Sequence, residues 1–189
     1  MALKIALFAS GSGSNVENII EYFSENRELL FPLIVSNKRD AFVHERARRL
    51  GVPSVSFTAA EFREGTTILQ LLQEKEIDFI VLAGFLLKIP ETILKAYPTK
   101  IINIHPALLP KFGGKGMYGH YVHEAVVAAG ERESGITIHY VNENYDEGAI
   151  IFQARCEVTP DDTPDTLAAK IHQLEYEYFP KTILSTVNG

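Results

Sequence analysis

Residues 78–83, DFIVLA, place five apolar side chains in a row without a polar one between them. A strand that is wet on one face alternates apolar and polar residues, so an unbroken apolar run of strand length belongs to a strand covered on both faces. Sheets buried in this way are parallel and sandwiched between helices. Residues 4–9, KIALFA, and 31–36, FPLIVS, read the same way, and segments with helical spacing lie between the runs. Val16, Ile19, Ile20 and Phe23 form one such stripe. Residues 40–50 form a helix stopped at Gly51, and 60–76 another, with Ile68, Leu71, Leu72 and the stem of Lys75 on one side. A short strand is expected at 53–57 and a helix from Pro90 to Tyr97-Pro98. A central strand then begins at Lys100, and a helix follows at 121–129. Strands 134–141 and 149–158 are separated by too few residues for a helical crossover and should pair antiparallel. A last helix starts at Thr163-Pro164 with Leu167, Ile171, Leu174 and Tyr178 facing inward, and Pro180 should break or kink it. The expected fold class is α/β: a three-layer, doubly wound, mostly parallel sheet with one antiparallel pairing near the C-terminus. Without an internal repeat, low-complexity segment or linker, residues 1–189 are expected to form one domain.

The central strand carries the most unusual polar residues. In KIINIHPALLPKFGGKG, residues 100–116, Asn103 and His105 interrupt an apolar run two positions apart, so both side chains leave the same face. Pro106 biases His105 towards extended backbone, and the prolines and glycines that follow make a loop. Both residues therefore sit at the carboxyl end of a strand, where open α/β sheets keep their ligand sites. A carboxamide beside an imidazole can clamp a developing oxyanion. The same two residues also fit a capping Asn and a hydrogen-bonded structural His, and spacing alone leaves both readings open.

After the first strand comes SGSGSN and then a helix, the arrangement that lets a backbone approach a phosphate at a helix N-terminus. Gly11-x-Gly13 completes only part of a dinucleotide fingerprint, since Val16 replaces the third glycine. Ser12, Ser14 and Asn15 add side-chain donors and favour phosphate over an empty tight turn. Arg39, after the second strand, could meet a 2′-phosphate of NADP or be ordinary surface charge. Residues 84–89, GFLLKI, either floor a pocket for a flat ligand or plug the core with Phe85 and Leu86. His120 and His123 lie one helical turn apart, but no acid or cysteine completes a metal-ligand set. Asp146 reads as a turn residue, Glu175 as solvated charge off the apolar stripe, and Cys156 as a buried structural thiol.

With 46% hydrophobic and 22% charged residues, the composition is that of a globular protein, and a net charge of −6 argues against a nucleic-acid partner. No apolar run reaches the roughly 18 residues of a spanning helix, and no signal-peptide pattern opens the chain. The expectation is a cytoplasmic protein acting on small molecules, without membrane or nucleic acid, as a monomer or homodimer.

SGSGSN after the first strand, LAGFLLKI after the fourth, INIHPALLPKFGGKGMYG in the centre and HYVNENYDEGAIIFQ near the end together resemble the phosphoribosylglycinamide formyltransferases of the folate-dependent formyltransferase superfamily. The resemblance runs over nearly the whole chain, and the central motif carries most of its specificity. It implies a Rossmann-like formyltransferase fold, 10-formyltetrahydrofolate as co-substrate and no metal. It also implies that Gly13, Ser14 and Asn15 hold the ribosyl phosphate and that Glu175 holds the glycinamide portion. Arg63, Leu86, Leu87, Lys88, Ile89, Asn103, Val141 and Glu143 fall on folate-contacting positions, and Asn103, His105 and Asp146 on the catalytic ones. Leu87 and Lys88 stand where some relatives have an arginine and an apolar residue, so backbone contact is what the resemblance carries over there. The chain also has the longer GGKGMYGH form of the central loop.

The reaction so implied moves a formyl group from 10-formyltetrahydrofolate to the amine of 5-phosphoribosylglycinamide, in de novo purine (IMP) biosynthesis. Asn103 and a protonated His105 would hold the tetrahedral oxyanion. Asp146 would raise the imidazole pKa and accept a proton from the attacking amine. A methionyl-tRNA formyltransferase or a formyltetrahydrofolate hydrolase is expected to need a further domain. From other classes, an NADP-binding reductase and a non-catalytic nucleotide-binding module remain as alternatives.

Overall fold

A computed structural model describes all 189 residues, which divide into two compact units, Met1–Asn103 and Ile104–Gly189. The first unit holds β1 (Leu3–Phe8), α1 (Ser14–Tyr22), β2 (Leu29–Ser36), α2 (Val43–Leu50), β3 (Ser54–Ser56), α3 (Ala59–Glu64), α4 (Thr66–Glu74), β4 (Phe79–Leu82) and α5 (Glu91–Ala96), and most of β5 (Ile101–His105). Its strands are all parallel, in the order β3-β2-β1-β4-β5. The chain winds outward from β1 to β3, then returns to β4 on the other side of β1. Because parallel crossovers are right-handed, this reversal puts α1 and α2 on one face and α3 to α5 on the other. The helix packing agrees: α1 lies against α2, and α4 against α3 and α5. Ile5, Ala6, Leu7 and Phe8 are all fully buried, as are Ile80 and Val81, which is the two-sided burial the apolar runs required.

Several boundaries differ from the expected ones for local reasons. Strand β2 begins at Leu29, ahead of Phe31. Its register slips where Lys4 pairs with Leu30 and Ala6 with Leu33, and the extra residue of this bulge absorbs Pro32, which has no N–H to give a ladder. Helix α2 starts at Val43 rather than at residue 40, because residues 38–42 turn first, with Ala41 N–H donating to the Lys38 carbonyl. The helix expected over 60–76 is two helices. Gly65 lies between them at φ +78°, and a side chain there would meet Thr92 Oγ1 at 2.3 Å and Pro90 Cγ at 2.7 Å. Thr58 and Glu61 form a capping box that starts the shorter piece independently.

The second unit continues from the end of β5 through α6 (His120–Ala128), β6 (Glu133–Tyr140), β7 (Ile150–Glu157) and α7 (Pro164–Asn188). Strands β6 and β7 are antiparallel, from Glu133 opposite Glu157 to His139 opposite Ile150. Helix α7 packs on α6, β6 and β7. Thr163 caps it reciprocally with Thr166, and Pro164 takes the first helical position. Pro180 does not end it: the 25-residue helix runs on to Asn188. A mid-helix proline costs on the order of 3 kcal/mol. Here Phe179 and Ile183, both fully buried, hold the turns on either side of it.

Glu175 is buried at 7% exposure, in line with Leu167, Ile171 and Phe179, and is not solvated charge. The i, i+4 row to which it belongs drifts around the helix, whereas the expected stripe placed Leu174 and Tyr178 inward, and these are only partly buried. Cys156 is likewise half-exposed rather than buried, although burial still pushes its thiol pKa up. No helix is long and apolar enough to cross a membrane.

Gly65→Ala should lower unfolding stability by about 1–3 kcal/mol, from the left-handed backbone and the contact with Pro90 and Thr92. Urea denaturation of the two proteins, compared at equal m-value, measures this directly.

Candidate active site

In the first unit, Phe8 of β1, Leu82 of β4 and Asn103 of β5 lie side by side across three adjacent strands, close to their carboxyl ends. The glycine loop leaves β1 at this edge and the GFLLKI segment leaves β4. Ser10 ties the two together: its N–H donates to the Gly84 carbonyl at 2.9 Å, and its hydroxyl accepts the Leu86 N–H at 2.9 Å. Gly13, at φ +73°, precedes α1, and Asn15 is buried just inside the helix. Phe85 plugs the core, its ring 5.4 Å from Phe8 and 4.9 Å from Phe62, and Ile89 is buried. Leu86 and Leu87 are half-buried and Lys88 is exposed. Arg63, in the last turn of α3, and Arg39, on the turn after β2, are exposed.

In the second unit His105 and Asp146, 41 positions apart in the chain, come together. The His105 Nδ1 lies 3.6 Å from Asp146 Oδ2, with the side chains only 4% and 11% exposed. Asp146 stands at φ +56° in the turn between β6 and β7, and its Oδ2 accepts the Gly114 N–H at 3.0 Å. Gly113 makes the approach possible, since a Cβ there would lie 2.5 Å from Leu109 Cδ2 and 3.3 Å from the Asp146 Cβ. The loop after β5 is pinned from below. Thr137 donates to the Ala107 carbonyl and accepts the Leu109 N–H, while Gln153 donates to the Leu109 carbonyl and to Thr137. Val141 is half-buried and Glu143 exposed, both in the turn segment that carries Asp146.

A second imidazole, absent from the expected site, flanks the carboxylate. His139 Nε2 is 3.7 Å from Asp146 Oδ1. The buried polar alternation Thr137, His139 along β6 was the signal that could have revealed it. Each ring already spends one N–H on a carbonyl: His105 Nε2 donates to Phe112 O at 2.7 Å, and His139 Nδ1 donates to Tyr140 O at 2.8 Å. A carbonyl only accepts, so these nitrogens carry protons, and in a neutral His105 ring the Nδ1 facing Asp146 is a lone pair.

The charge state of His105 is set by opposing effects. Burial pushes its pKa down, outweighing the Asp146 carboxylate and the Phe112 carbonyl, which push it up; His139 adds to the fall. The net shift is below the ordinary value of 6.5, so the resting ring is neutral near pH 7. Burial pushes the Asp146 carboxyl up, but His139, His105 and the Gly114 N–H together hold it below the ordinary carboxylate range, so it is ionised.

His120 and His123 do not converge on a metal. His120 is exposed and pairs with Glu124 at 3.1 Å, whereas His123 is buried with no hydrogen-bond partner at Nδ1. No group of three or more His, Cys, Asp or Glu side chains is placed to hold a metal ion.

The sequence profile of the formyl transferase family matches residues 3–183. The chain belongs to the formyl transferase family. Among its relatives, a Bacillus subtilis protein named phosphoribosylglycinamide formyltransferase is 40% identical, over 95% of this chain and 92% of its own. A chloroplastic phosphoribosylglycinamide formyltransferase of Arabidopsis thaliana is 42% identical, over 95% of this chain and 64% of its own; the chain thus spans about two thirds or less of the chloroplastic relatives it matches, and 59% of the one from Vigna unguiculata. The crystal structure of the phosphoribosylglycinamide formyltransferase of Streptococcus pneumoniae superposes with a TM-score of 0.86 at 40% identity, covering 97% of this chain and 98% of that one. The α/β formyltransferase fold expected from the sequence is therefore the fold observed.

Two outcomes follow from the electrostatics. In an NMR titration the His105 ring should show a midpoint below 6.5, and Asp146→Asn should move it lower still, because the carboxylate is what pulls it upward. His123, held down to about 4 by burial first and by His172, His120 and His105 next, costs stability as pH falls. Between 6.5 and about 4 the unfolded chain binds a proton that the folded one refuses, so unfolding becomes easier through that window, by about 2–3 kcal/mol at its acid end. His123→Leu should flatten that part of a stability-versus-pH curve.

Proposed function

We propose that the chain transfers the formyl group of 10-formyltetrahydrofolate to the amine of 5-phosphoribosylglycinamide, a step of de novo purine (IMP) biosynthesis. The observation that carries this reading is the buried His105–Asp146 pair in a chain that matches the formyl transferase profile from residue 3 to residue 183. A match of that extent also supports one formyltransferase domain over residues 1–189. The NADP-reductase alternative rested on Arg39, an exposed turn residue, and membership of the formyl transferase family leaves it and the silent-module alternative without support. The proposed location is cytoplasmic, and the proposed partners are the two small molecules.

In the proposed chemistry the neutral amine attacks the formyl carbon, a C–N bond forms, and the carbonyl π pair moves to oxygen. Asn103, two residues before His105 on β5, offers its amide N–H to that oxygen. His105 begins neutral. It takes the proton released by the attacking nitrogen on Nδ1, where Asp146 receives the new N–H, and as an imidazolium it stabilises the oxyanion through Nε2–H. Nε2–H must leave the Phe112 carbonyl to do so. Collapse breaks the bond to the folate nitrogen, which takes the proton back from the ring. Gly13, Ser14 and Asn15 are assigned to the phosphate and Glu175 to the glycinamide portion. Arg63, Leu86, Leu87, Lys88, Ile89, Asn103, Val141 and Glu143 are assigned to the folate.

Incubation of the purified protein with both substrates should give a folate absorbance change that requires both. No change, or turnover of NADPH instead, would end the reading. Asp146→Asn should lower kcat by roughly 10²–10³, and Asn103→Ala by a similar factor, about 2.7–4 kcal/mol of barrier, with thermal unfolding of Asp146→Asn close to wild type. Unchanged turnover in Asp146→Asn would remove the carboxylate from the mechanism.

A further inference from the structure

The glycine loop is held from one side by α2, a helix to which no role in the reaction has been given. Three consecutive loop carbonyls have identified donors. The Gly11 carbonyl accepts the Val43 N–H at 3.1 Å, the Ser12 carbonyl accepts Arg46 Nε–H at 2.7 Å, and the Gly13 carbonyl accepts the Glu17 N–H at 3.0 Å, which opens α1. Gly13 lies so close to α2 that a Cβ there would stand 2.4 Å from Val43 Cγ2 and 2.9 Å from Val43 Cα. Two of these bonds are backbone to backbone. The third depends on a single side chain.

Arg46 is well placed to hold a geometry and poorly placed to supply free charge. Its guanidinium forms an ion pair with Glu17, is stacked 5.2 Å from the Phe42 ring, and is only 20% exposed. The same Glu17 also meets Arg49 at 3.5 Å. What Arg46 contributes to the loop is direction: its one bond there keeps the Ser12 carbonyl, a partial negative charge, turned towards α2. The first-turn N–H groups of α1, which have no acceptor within their own helix, then face an anion without an oxygen dipole opposing it.

We propose that Arg46 is a positioning residue for the phosphate of the substrate: it acts by fixing the Ser12 carbonyl and makes no contact with the phosphate itself. This rests on the assignment of residues 13–15 to the ribosyl phosphate. The role is specific to the phosphate, so its loss should be visible only with a phosphate-bearing substrate.

The test compares wild type, Arg46→Met and Glu17→Gln on 5-phosphoribosylglycinamide and on its dephosphorylated ribonucleoside, with thermal unfolding measured in parallel. Arg46→Met should raise KM for the ribonucleotide about tenfold while kcat falls no more than twofold, and kcat/KM for the ribonucleoside should stay within twofold of wild type. Glu17→Gln leaves the Arg46 bond to Ser12 in place and strips its charge partner, so KM for the ribonucleotide should stay within twofold. A wild type that transfers formyl to both substrates, together with an Arg46→Met whose ribonucleotide KM is unchanged, or whose two substrates suffer equally, would overturn the proposal. A Glu17→Gln that lowers ribonucleotide KM severalfold would also overturn it, because the cation would then be acting on the phosphate directly. Should Arg46→Met not fold, the Glu17→Gln comparison still decides between position and charge. A wild type with no formyl transfer would instead refute the functional reading on which the proposal stands.

Discussion

A strand buried on both faces has no solvent side on which to place a polar group, so its chemistry is confined to its ends. This constraint orders the first unit. Ile5 to Phe8 and Ile80 to Val81 are almost wholly sequestered, and polar side chains appear where the strands stop: Ser10 after β1, and Asn103 towards the end of β5. The reversal of winding at β1 then leaves the loops after β1 and β4 side by side, with no crossover helix covering them. Ser10 converts that adjacency into a fixed relation, because one residue bonds both the Gly84 carbonyl and the Leu86 N–H. The glycine loop and the apolar loop after β4 are thereby held at the same edge of the sheet.

The second unit solves a different problem, that of keeping a carboxylate ionised where water is scarce. Desolvation alone would favour the neutral acid. Asp146 escapes this through the His139 side chain first, then the His105 ring and the Gly114 N–H. Desolvation acts in the same sense on His105 and there prevails, so the resting pair is an anion beside a neutral ring. The carboxylate 3.6 Å away offsets part of what burial costs a proton arriving on that ring.

Helix α2 shows how much of a loop's conformation is set outside its motif. The SGSGSN residues can take many conformations. The one observed is held by contacts with Val43 and Arg46, some thirty positions further on, and the absence of a β-carbon at Gly13 is demanded by Val43 and by a φ of +73°.

The sequence by itself determined the layered α/β class, the mostly parallel sense of the apolar strands, the antiparallel hairpin and the central Asn103, His105 motif. Each of these follows from short-range periodicity: unbroken apolar runs, spacing of two, and a connection too short for a helix. The quoted motifs also sufficed for the family. Only the tertiary structure decided that Glu175 is buried, that α7 passes through Pro180, that 60–76 breaks at Gly65, that His139 joins Asp146, and that His105 rests uncharged. Those outcomes depend on which surfaces meet. A helical row drifts away from or towards its neighbour, a glycine is needed only where another chain segment approaches, and a pKa is the balance of burial against partners far away in the chain. Local pattern carries no term for any of these.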